Sequence, residues 1–153
     1  MKVVLQRVCR AEVNVRSGPG GEAMTHCETI GAGLVALVCV EVGDDESAID
    51  WAADKTAKLR IFQDDAEKMN RSVVDERGGV LVISQFTLAG DTSKGNRPSF
   101  ITAARPEIAA PLVERFAQRL EREHGLTVAR GVFGAMMDVT LTNAGPVTVI
   151  VER

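Results

Sequence analysis

The sequence predicts a single α+β domain over residues 1–153, in which a largely antiparallel sheet or open barrel carries two main helices. Short runs of β-branched and aliphatic residues recur along the chain and are typical of strands. Two longer segments place apolar residues at helical spacing. The strands come in groups with the helices inserted between them, and this order favours α+β over the strict alternation of a parallel sheet.

The first half of the chain supplies several of the predicted strands. Residues 3–8 and 11–15 have the pattern of two strands, and residues 15–31 predict a turn-rich loop or an extended hairpin. The run LVALVCVEV at residues 34–42 is continuously apolar and predicts a buried strand. Residues 80–83, VLVI, predict a second buried strand, which we expect at the centre of the fold.

Two helices are predicted from start signals and apolar periodicity. Asp44 or Asp45 can cap a helix over about residues 46–62, and Pro106 can open a helix that ends at Gly125. Their core-facing stripes are predicted to be Ile49, Ala52, Ala53, Thr56 and Leu59 in the first helix, and Ile108, Leu112, Phe116 and Leu120 in the second. Three strands then close the chain, over residues 126–133, 136–142 and 147–152.

Composition excludes several classes of protein. The 153 residues are 45% hydrophobic and 25% charged, as in ordinary soluble globular domains. No apolar run approaches the ~20 residues of a membrane helix, and the N-terminus lacks signal-peptide features, so we expect a cytoplasmic protein. A net charge of -3 argues against a broad phosphate-binding surface, although it is compatible with binding only the end of a nucleic acid. A few local cations could then contact RNA phosphates, from the set Arg7, Arg10, Lys58, Arg60, Lys94 and Arg97.

The cysteines, histidines and acidic runs predict neither a metal site nor a His-based triad. Cys9, Cys27 and Cys39 have no disulfide or zinc spacing, and we expect Cys9 and Cys39 to be buried as small hydrophobes. His124 should contact the last carbonyls of its helix. The acidic run at residues 44–46 predicts a helix start. No cofactor is expected.

Polar side chains follow directly on the predicted central strand. Ser84, Gln85 and Thr87 stand at its end, before a loop over residues 89–99 that is dense in Gly, Ser, Thr, Asp and Asn. In a regular strand, Ser84 and Phe86 would share one face and Gln85 and Thr87 the other. Polar groups at the mouth of an apolar strand, beside a loop, are typical of a small-molecule site. From spacing alone, side chains that only satisfy the strand end are an equal alternative.

A second stretch, NAGPVT at residues 143–148, has the residue types of a turn. It lies between two apolar runs, so a simple hairpin turn is the default interpretation of this stretch alone. The sequence leaves the isomer of the Gly145-Pro146 bond open.

Together, SQFTL at residues 84–88 and NAGPVT at residues 143–148 resemble the paired signatures of the D-aminoacyl-tRNA deacylase family. Further segments occur in the order of that family, and the resemblance covers the chain from end to end. These segments are LQRV at 5–8, RIF at 60–62, KMN at 68–70, NRPSF at 96–100 and GVFGAMM at 131–137. Residues 15–31 are longer than the short hairpin expected there, which leaves that loop in doubt but not the site.

The resemblance implies a reaction and its partners. The reaction is hydrolysis of the ester that joins a D-amino acid, or mischarged glycine, to the terminal adenosine of tRNA. The implied partners are the 3′ aminoacyl-adenosine end of D-aminoacyl-tRNA and a second copy of the chain in a homodimer, with neither DNA nor a membrane. Two other classes remain as alternatives, namely a non-catalytic tRNA-end binding module and a hydrolase of free D-amino acid esters or amides. A purely structural dimer would leave both polar stretches unexplained.

The resemblance also implies the site residues. The catalytic set is Ser84, Gln85, Phe86 and Thr87, and the substrate-binding set is Gly145, Pro146, Arg7, Phe133 and Asn143. In this family the Gly-Pro pair is a cis peptide inserted from the partner subunit into the SQFTL pocket, where it excludes L-amino acids, and Arg7 resembles the side chain that holds it.

Four of these residues have an alternative role. Arg7 could be a surface charge at a strand end, and Phe86 and Phe133 could be core. Thr87 could be a nucleophile, but its hydroxyl would need an activating base, and no His or Lys is adjacent in sequence. We therefore favour water attack assisted by the 2′-hydroxyl of the substrate, with backbone N–H groups around Phe86 and Thr87 stabilising the oxyanion.

Overall fold

The long first strand organises the fold, which is described here from a computed structural model for residues 1–17 and 23–153. This strand, β1, pairs with three others, and the main sheet has the order β2-β1-β3-β6-β7 with β8 also paired to β1. The elements of these residues are β1 (Lys2–Ser17), β2 (Ala23–Ile30), β3 (Gly33–Cys39), α1 (Glu46–Lys58), β4 (Phe62–Gln63), β5 (Met69–Arg71), β6 (Gly79–Ser84), a 3-10 turn (Phe86–Ala89), α2 (Pro106–His124), β7 (Thr127–Arg130) and β8 (Met136–Glu152).

The main sheet is mixed. β1 pairs antiparallel with β2, β3 and β8, whereas β3–β6 and β6–β7 are parallel. The parallel pairs are connected by crossovers that contain α1 and α2, as parallel strands require. The His26 Nε2 atom lies 3.1 Å from the carbonyl oxygen of Arg130, so β2 approaches the end of β7 and the sheet curls into a nearly closed barrel. The predicted α+β class is confirmed.

The central strands are buried on both faces, which explains their continuous apolar sequence. In β6, Val80 and Val82 pack under the two helices, while Leu81 and Ile83 point into the barrel. The predicted stripe of α1 is buried from Ile49 to Thr56, and Asp45 caps this helix by accepting a hydrogen bond from the Ala48 N–H. None of the helices in the described ranges is long and apolar enough to cross a membrane.

Several predicted boundaries differ from the structure. The two strands predicted over residues 3–15 are one continuous strand, β1, and residues 15–31 form an extended hairpin with β2 whose tip, residues 18–22, lies outside the described residues. The two strands predicted on either side of NAGPVT are also one strand, β8. The hairpin turn predicted from local sequence is therefore wrong, because both halves of β8 pair with β1 in the same direction.

Three side-chain predictions are corrected. Ile108 is 55% exposed, because a four-residue spacing rotates about 40° per step around a helix and carries Ile108 away from the buried Phe116 and Leu120. Cys9 is exposed, since it follows the buried Val8 on a strand where neighbours point to opposite faces. Cys39 is buried as predicted. His124 does not serve its own helix end, because its Nε2 lies 2.8 Å from Asp54 Oδ1 on α1.

Candidate active site

A cleft of about 660 Å³ opens where β6 ends. Four of the predicted site residues line it, namely Ser84, Gln85, Phe86 and Phe133. Most of the remaining lining is apolar and comes from β3, the N-terminal half of α2, the beginning of β8 and the segments that precede these two elements. The cleft thus combines apolar walls with a few polar groups at a strand end, as small-molecule sites commonly do.

The chain leaves the sheet immediately after Ser84. The Gln85 N–H donates to the carbonyl oxygen of Val38 at 2.8 Å, and residues Phe86–Ala89 then form a 3-10 turn. The turn is closed by hydrogen bonds from the Leu88 N–H to Gln85 O and from the Gly90 N–H to Thr87 O. The strand-like alternation of side chains predicted for residues 84–87 is therefore wrong.

The turn leaves two backbone donors free beside the cleft. The N–H groups of Phe86 and Thr87 are the first of the 3-10 turn, where no preceding carbonyl of the turn can accept from them. Across residues 1–17 and 23–153, neither group donates a hydrogen bond. Two neighbouring, unpaired N–H groups can stabilise a negatively charged oxygen.

Thr87 has a local side-chain partner that is not a base. The Gln85 Nε2 donates to Thr87 Oγ1 at 2.5 Å, and Thr87 is exposed. An amide nitrogen cannot accept the hydroxyl proton. The residues that the structure describes place no His or Lys in hydrogen bond with this hydroxyl. The geometry therefore offers Thr87 no activating group.

Two aromatic rings lie at the mouth of the cleft and are not core residues. Phe86 is 58% exposed and Phe133 is 39% exposed. Phe86 packs edge-to-face on Phe100, with ring centroids 5.2 Å apart. Exposed aromatic faces at a cleft are suited to stack on a planar group of a ligand.

The buried thiol of Cys39 lies beneath the 3-10 turn. Its Sγ donates to the carbonyl oxygen of Phe86 over 3.6 Å. Burial raises the pKa of Cys39, and the negative charge of Glu41 raises it further. A thiol that stays protonated is a poor nucleophile, so Cys39 supports the turn and is not suited to attack a substrate.

The Gly145-Pro146 pair lies on a bulge of β8. Gln6 of β1 pairs with Thr148 and Arg10 pairs with Thr142, so β8 advances by six positions while β1 advances by four. The peptide bond between Gly145 and Pro146 is cis, and both residues are exposed. The bulge therefore projects the pair from the sheet.

Arg7 connects the bulge to the end of the α1 segment. Its Nε donates to the carbonyl oxygen of Ala144 at 2.8 Å, and its Nη1 donates to the carbonyl oxygen of Ile61 at 2.6 Å. The guanidinium also lies over the ring of Phe62, 5.9 Å from its centroid. Arg7 is thus not a free surface charge, because it fixes the backbone next to Gly145.

Asn143 flanks the bulge on its other side. Its Oδ1 accepts a hydrogen bond from Gln6 Nε2 at 2.7 Å, and Gln6 Oε1 in turn accepts one from the Thr148 hydroxyl at 2.9 Å. A Cβ atom at position 145 would overlap the Nδ2 of Asn143, so the bulge accommodates glycine in this arrangement.

The structure does not bring the two predicted halves of the site together within one chain. Arg7 pairs with Leu34 on β3, four residues before Val38, and Val38 pairs with Ser84 on β6. Strand rise and strand spacing put the bulge on the order of 20 Å from Ser84. None of Gly145, Pro146, Arg7 or Asn143 lines the cleft.

Sequence reasoning missed several lining residues. Arg105, Pro106, Ala109 and Val113 come from the start of α2, and Met137 comes from β8. The helix start was predicted, but its approach to the end of β6 depends on how α2 packs, which periodicity does not reveal. Among the described residues, no group of three or more His, Cys, Asp or Glu side chains is placed to hold a metal.

Comparisons with known proteins agree over the whole chain. The sequence model of the family described as D-Tyr-tRNA(Tyr) deacylase matches residues 4–152. A D-aminoacyl-tRNA deacylase of Exiguobacterium sp. is 50% identical over 153 residues, covering 100% of this chain and 99% of the relative. A D-aminoacyl-tRNA deacylase of Thermomicrobium roseum is 52% identical over 149 residues, covering 97% of this chain and 92% of the relative.

Solved structures share the fold. The c-Myc DNA Unwinding Element Binding Protein superposes with a TM-score of 0.88 at 35% identity, covering 100% of this chain and 99% of its own. A probable eukaryotic D-amino acid tRNA deacylase superposes with a TM-score of 0.81 at 16% identity, covering 98% and 97% respectively, and this likeness concerns the fold. With a family match over residues 4–152 and relatives about half identical over nearly their full length, the chain belongs to the D-Tyr-tRNA(Tyr) deacylase family.

Proposed function

We propose that this protein hydrolyses the ester between a D-amino acid and the terminal adenosine of tRNA, releasing the free D-amino acid and the tRNA. The observation that carries the proposal is the cleft at the end of β6, where the 3-10 turn presents two unpaired N–H groups beside exposed aromatic rings. The relatives of the chain bear the name of this activity.

The hydrolysis needs no strong nucleophile from the protein, because an aminoacyl ester is already activated. Water adds to the ester carbonyl carbon, and negative charge develops on the carbonyl oxygen. The N–H groups of Phe86 and Thr87 stabilise that oxygen, while the cleft orients the ester. The bond to the ribose oxygen then breaks, and the ribose leaves as its hydroxyl after taking a proton.

The attacking water is oriented by the neighbouring 2′-hydroxyl of the substrate ribose, and Thr87 is not a nucleophile. The support is the Gln85 amide on Thr87 Oγ1, a donor that cannot activate the hydroxyl. Thr87→Ala should therefore keep most of its activity, whereas a substrate with 2′-deoxyadenosine at its end should lose activity. An inactive Thr87→Ala variant, together with an acyl-enzyme trapped by the wild type, would favour the nucleophile.

Chiral selection comes from the Gly145-Pro146 pair of a partner subunit. The pair is exposed, is held by Arg7 at Ala144, and lies on the order of 20 Å from the cleft of its own chain. Placed in a partner's cleft, its rigid backbone occupies the space that an L side chain needs, and its carbonyl groups accept from the α-ammonium group. A D side chain points outward, and glycine, without a side chain to exclude, is also removed when mischarged.

This arrangement makes the functional unit a symmetric homodimer with two composite sites. Each site combines the cleft of one chain with the Gly145-Pro146 bulge of the other. The isolated chain lacks half of the site, so a folded monomeric variant should be inactive. The expected setting is the cytoplasm, where the tRNA substrate is found.

The first experiment compares deacylation of D- and L-aminoacyl-tRNA carrying the same side chain. We expect rapid loss of the D-ester while the L-ester is spared. Hydrolysis of both esters would leave a hydrolase but contradict exclusion by Gly145-Pro146. Binding of tRNA without turnover would indicate a binding module, and equal activity on free D-amino acid esters would indicate an enzyme that ignores the tRNA.

A further inference from the structure

A second cleft, which we call the basic cleft, lies at the C-terminal end of α1. Its volume is about 420 Å³, and its lining residues are Trp51, Asp54, Lys55, Lys58, Leu59 and Arg60. The helical spacing of Trp51, Lys55 and Lys58 places these three side chains along one face of α1. The basic cleft shares no residue with the cleft at the end of β6.

The basic cleft concentrates positive charge on a chain whose net charge is -3. Lys55, Lys58 and Arg60 are all exposed, and within the described part of the chain none of them forms a salt bridge. Asp54 does not cancel this charge, because Arg119 donates two hydrogen bonds to its carboxylate, at 2.7 and 2.8 Å. Asp75 interacts with Arg60 over a longer distance, and its carboxylate is held by hydrogen bonds from Ser72.

A further cation borders the basic cleft at its aromatic wall. The guanidinium of Arg153 lies over the ring of Trp51, 5.7 Å from the centroid, and its Nη1 donates to the carbonyl oxygen of Ser47 at 3.0 Å. These contacts hold an exposed cation beside the indole. Cations along an open cleft with an aromatic wall provide a surface for a polyanion.

The basic cleft adjoins the Gly145-Pro146 bulge. Arg60 is followed directly by Ile61, whose carbonyl oxygen accepts from Arg7 Nη1, and the same guanidinium donates through Nε to Ala144 O. Hence one side chain spans the gap between the end of the basic cleft and the residue before Gly145. Wherever the bulge is inserted, the basic cleft of the same chain lies next to the insertion point.

We propose that the basic cleft binds the phosphate backbone of the tRNA acceptor end while the terminal aminoacyl-adenosine occupies the partner's cleft. This inference rests on the proposed function and adds to it the contact site for the tRNA portion of the substrate. The chain that inserts its Gly145-Pro146 bulge into a partner's cleft thus also provides the cations that bind the RNA at that site. The protein binds only the end of the RNA, and this agrees with the chain having no net positive charge.

The test compares two substrates that carry the same D-amino acid, aminoacyl-tRNA and aminoacyl-adenosine, which has no phosphate. The triple variant Lys55→Ala/Lys58→Ala/Arg60→Ala should lower kcat/KM on the tRNA substrate about tenfold or more, mainly through KM, and leave aminoacyl-adenosine hydrolysis unchanged. The slope of log(kcat/KM) against log salt should become shallower by about 2–3 for the tRNA substrate. Arg122→Ala is the control for the loss of a cation outside the basic cleft, because Arg122 lies in a separate pocket beside Asp50 and Glu123.

Uncharged tRNA binding, measured in parallel by fluorescence anisotropy, separates the two hypotheses. A triple variant that binds tRNA and hydrolyses the tRNA substrate like Arg122→Ala would overturn the inference and leave the proposed function intact. Equal loss on both substrates would also overturn it, because the cations would then act on the reaction centre or the fold. If the wild type hydrolyses neither substrate, the proposed function fails, and the anisotropy comparison still decides whether the basic cleft binds RNA.

Discussion

Arg7 joins three segments that are far apart in the sequence. Its guanidinium, on β1, donates hydrogen bonds to the carbonyl oxygens of Ile61 and Ala144. The segment after α1 and the bulge of β8 are therefore held by the same side chain. Hydrogen bonds from a charged donor are stronger than neutral ones and have a fixed geometry in arginine. The position of the Gly145-Pro146 backbone therefore depends on this side chain.

Replacing Arg7 with alanine should release the bulge. We expect Arg7→Ala to lose about 1–3 kcal/mol of stability, to lower kcat/KM on D-aminoacyl-tRNA about tenfold, and to admit L-aminoacyl-tRNA, because the chiral wall becomes mobile. Deacylation of matched D- and L-esters measures the change in selectivity, and thermal unfolding measures the loss of stability.

Arg10→Ala is the matched control for this prediction. Arg10 is on the same strand and carries the same charge, but it is exposed. If Arg7→Ala and Arg10→Ala have the same D/L ratio, Arg7 does not position the wall. If Arg7→Ala lowered the rate but left the D/L selectivity unchanged, this would likewise contradict the hypothesis that Arg7 fixes the position of the Gly145-Pro146 pair.

At the residue scale, sequence alone located the polar strand end but not its conformation. Ser84 and Gln85 stand out because polar groups follow a β-branched run, a signal that is local in sequence. The 3-10 turn depends on the hydrogen bond from the Gln85 N–H to Val38 O on the neighbouring strand, and a contact between distant segments leaves no local signal. The exposure of Cys9 was mispredicted for a related reason, since an apolar neighbourhood in sequence does not reveal which face of the strand is covered.

Among the elements, β3 and β6 approach one another closely where two glycines meet. Gly33 pairs with Gly79 at the start of the parallel ladder, and a Cβ atom at position 33 would overlap the carbonyl oxygen of Gly79. The obstacle is backbone, so no side-chain rotation can relieve it. The pairing of β3 with β6, which positions Ser84 at the cleft, therefore begins at Gly33, where only glycine fits.

Gly33→Ala should accordingly destabilise the protein by about 2–4 kcal/mol through overpacking between the two strands. Gly31→Ala is the control two residues earlier, because no atom lies within 4 Å of the Cβ that it would add. We expect Gly31→Ala to change stability by less than about 0.5 kcal/mol. Chemical denaturation of both variants measures the difference, and equal stability would show that the two strands separate at little cost.

The two helices are joined by a ladder of charged side chains. Arg115 binds the carboxylate of Asp50 through two hydrogen bonds, and Arg119 binds that of Asp54 in the same way. The hydrogen bond from Arg119 is the main reason why the pKa of Asp54 lies well below its usual range, with a further hydrogen bond from His124. Hydrogen bonding to Arg115 likewise lowers the pKa of Asp50.

The lowered pKa of Asp54 gives a stability prediction with a definite sign. A carboxyl group whose pKa is lower in the folded state stabilises the fold above its unfolded pKa of about 3.9, and this contribution is lost as the pH falls below that value. Asp54→Asn should therefore cost about 1 kcal/mol near pH 7, a modest value because the side chain is 32% exposed.

The loss should shrink as the pH falls below about 4, because the unfolded chain then takes up a proton that the folded wild-type carboxyl does not bind. Unfolding of wild type and variant across this range measures the difference. Asp65→Asn, which changes an exposed carboxyl on the loop between β4 and β5, should have little effect at any pH. A loss for Asp54→Asn that stays constant down to pH 2 would mean that the ladder does not act through charge.

The bulge of β8 shows why element boundaries were only partly predictable. Asn143, Gly145 and Pro146 have the composition of a hairpin turn, and local sequence cannot distinguish a turn from a bulge. The difference lies in the register, since the residues on both sides pair with β1. The resemblance to a family marked this stretch as functional, whereas its geometry required the partner strand.

Considered as a whole molecule, the chain holds the two predicted parts of the site at separate places. The cleft at the end of β6 contains the groups suited to the reaction, and the bulge of β8 contains the pair suited to chiral exclusion. Strand geometry separates them by on the order of 20 Å. The proposed symmetric dimer would account for this separation, because each chain would insert its bulge into the cleft of the other.

Heterodimers carrying the same two substitutions in different arrangements test this directly. Ala135→Trp should block the cleft that Ala135 lines, and Pro146→Ala should remove the chiral wall. Two purification tags isolate dimers with one substitution on each chain, and dimers with both on one chain beside a wild-type partner. If the wall acts across the interface, the dimer with one substitution on each chain has one open cleft, which faces an intact wall, and it should hydrolyse only the D-ester.

The dimer with both substitutions on one chain has its open cleft facing the altered wall and should hydrolyse both esters. A wall that acts within its own chain predicts the opposite pair of results.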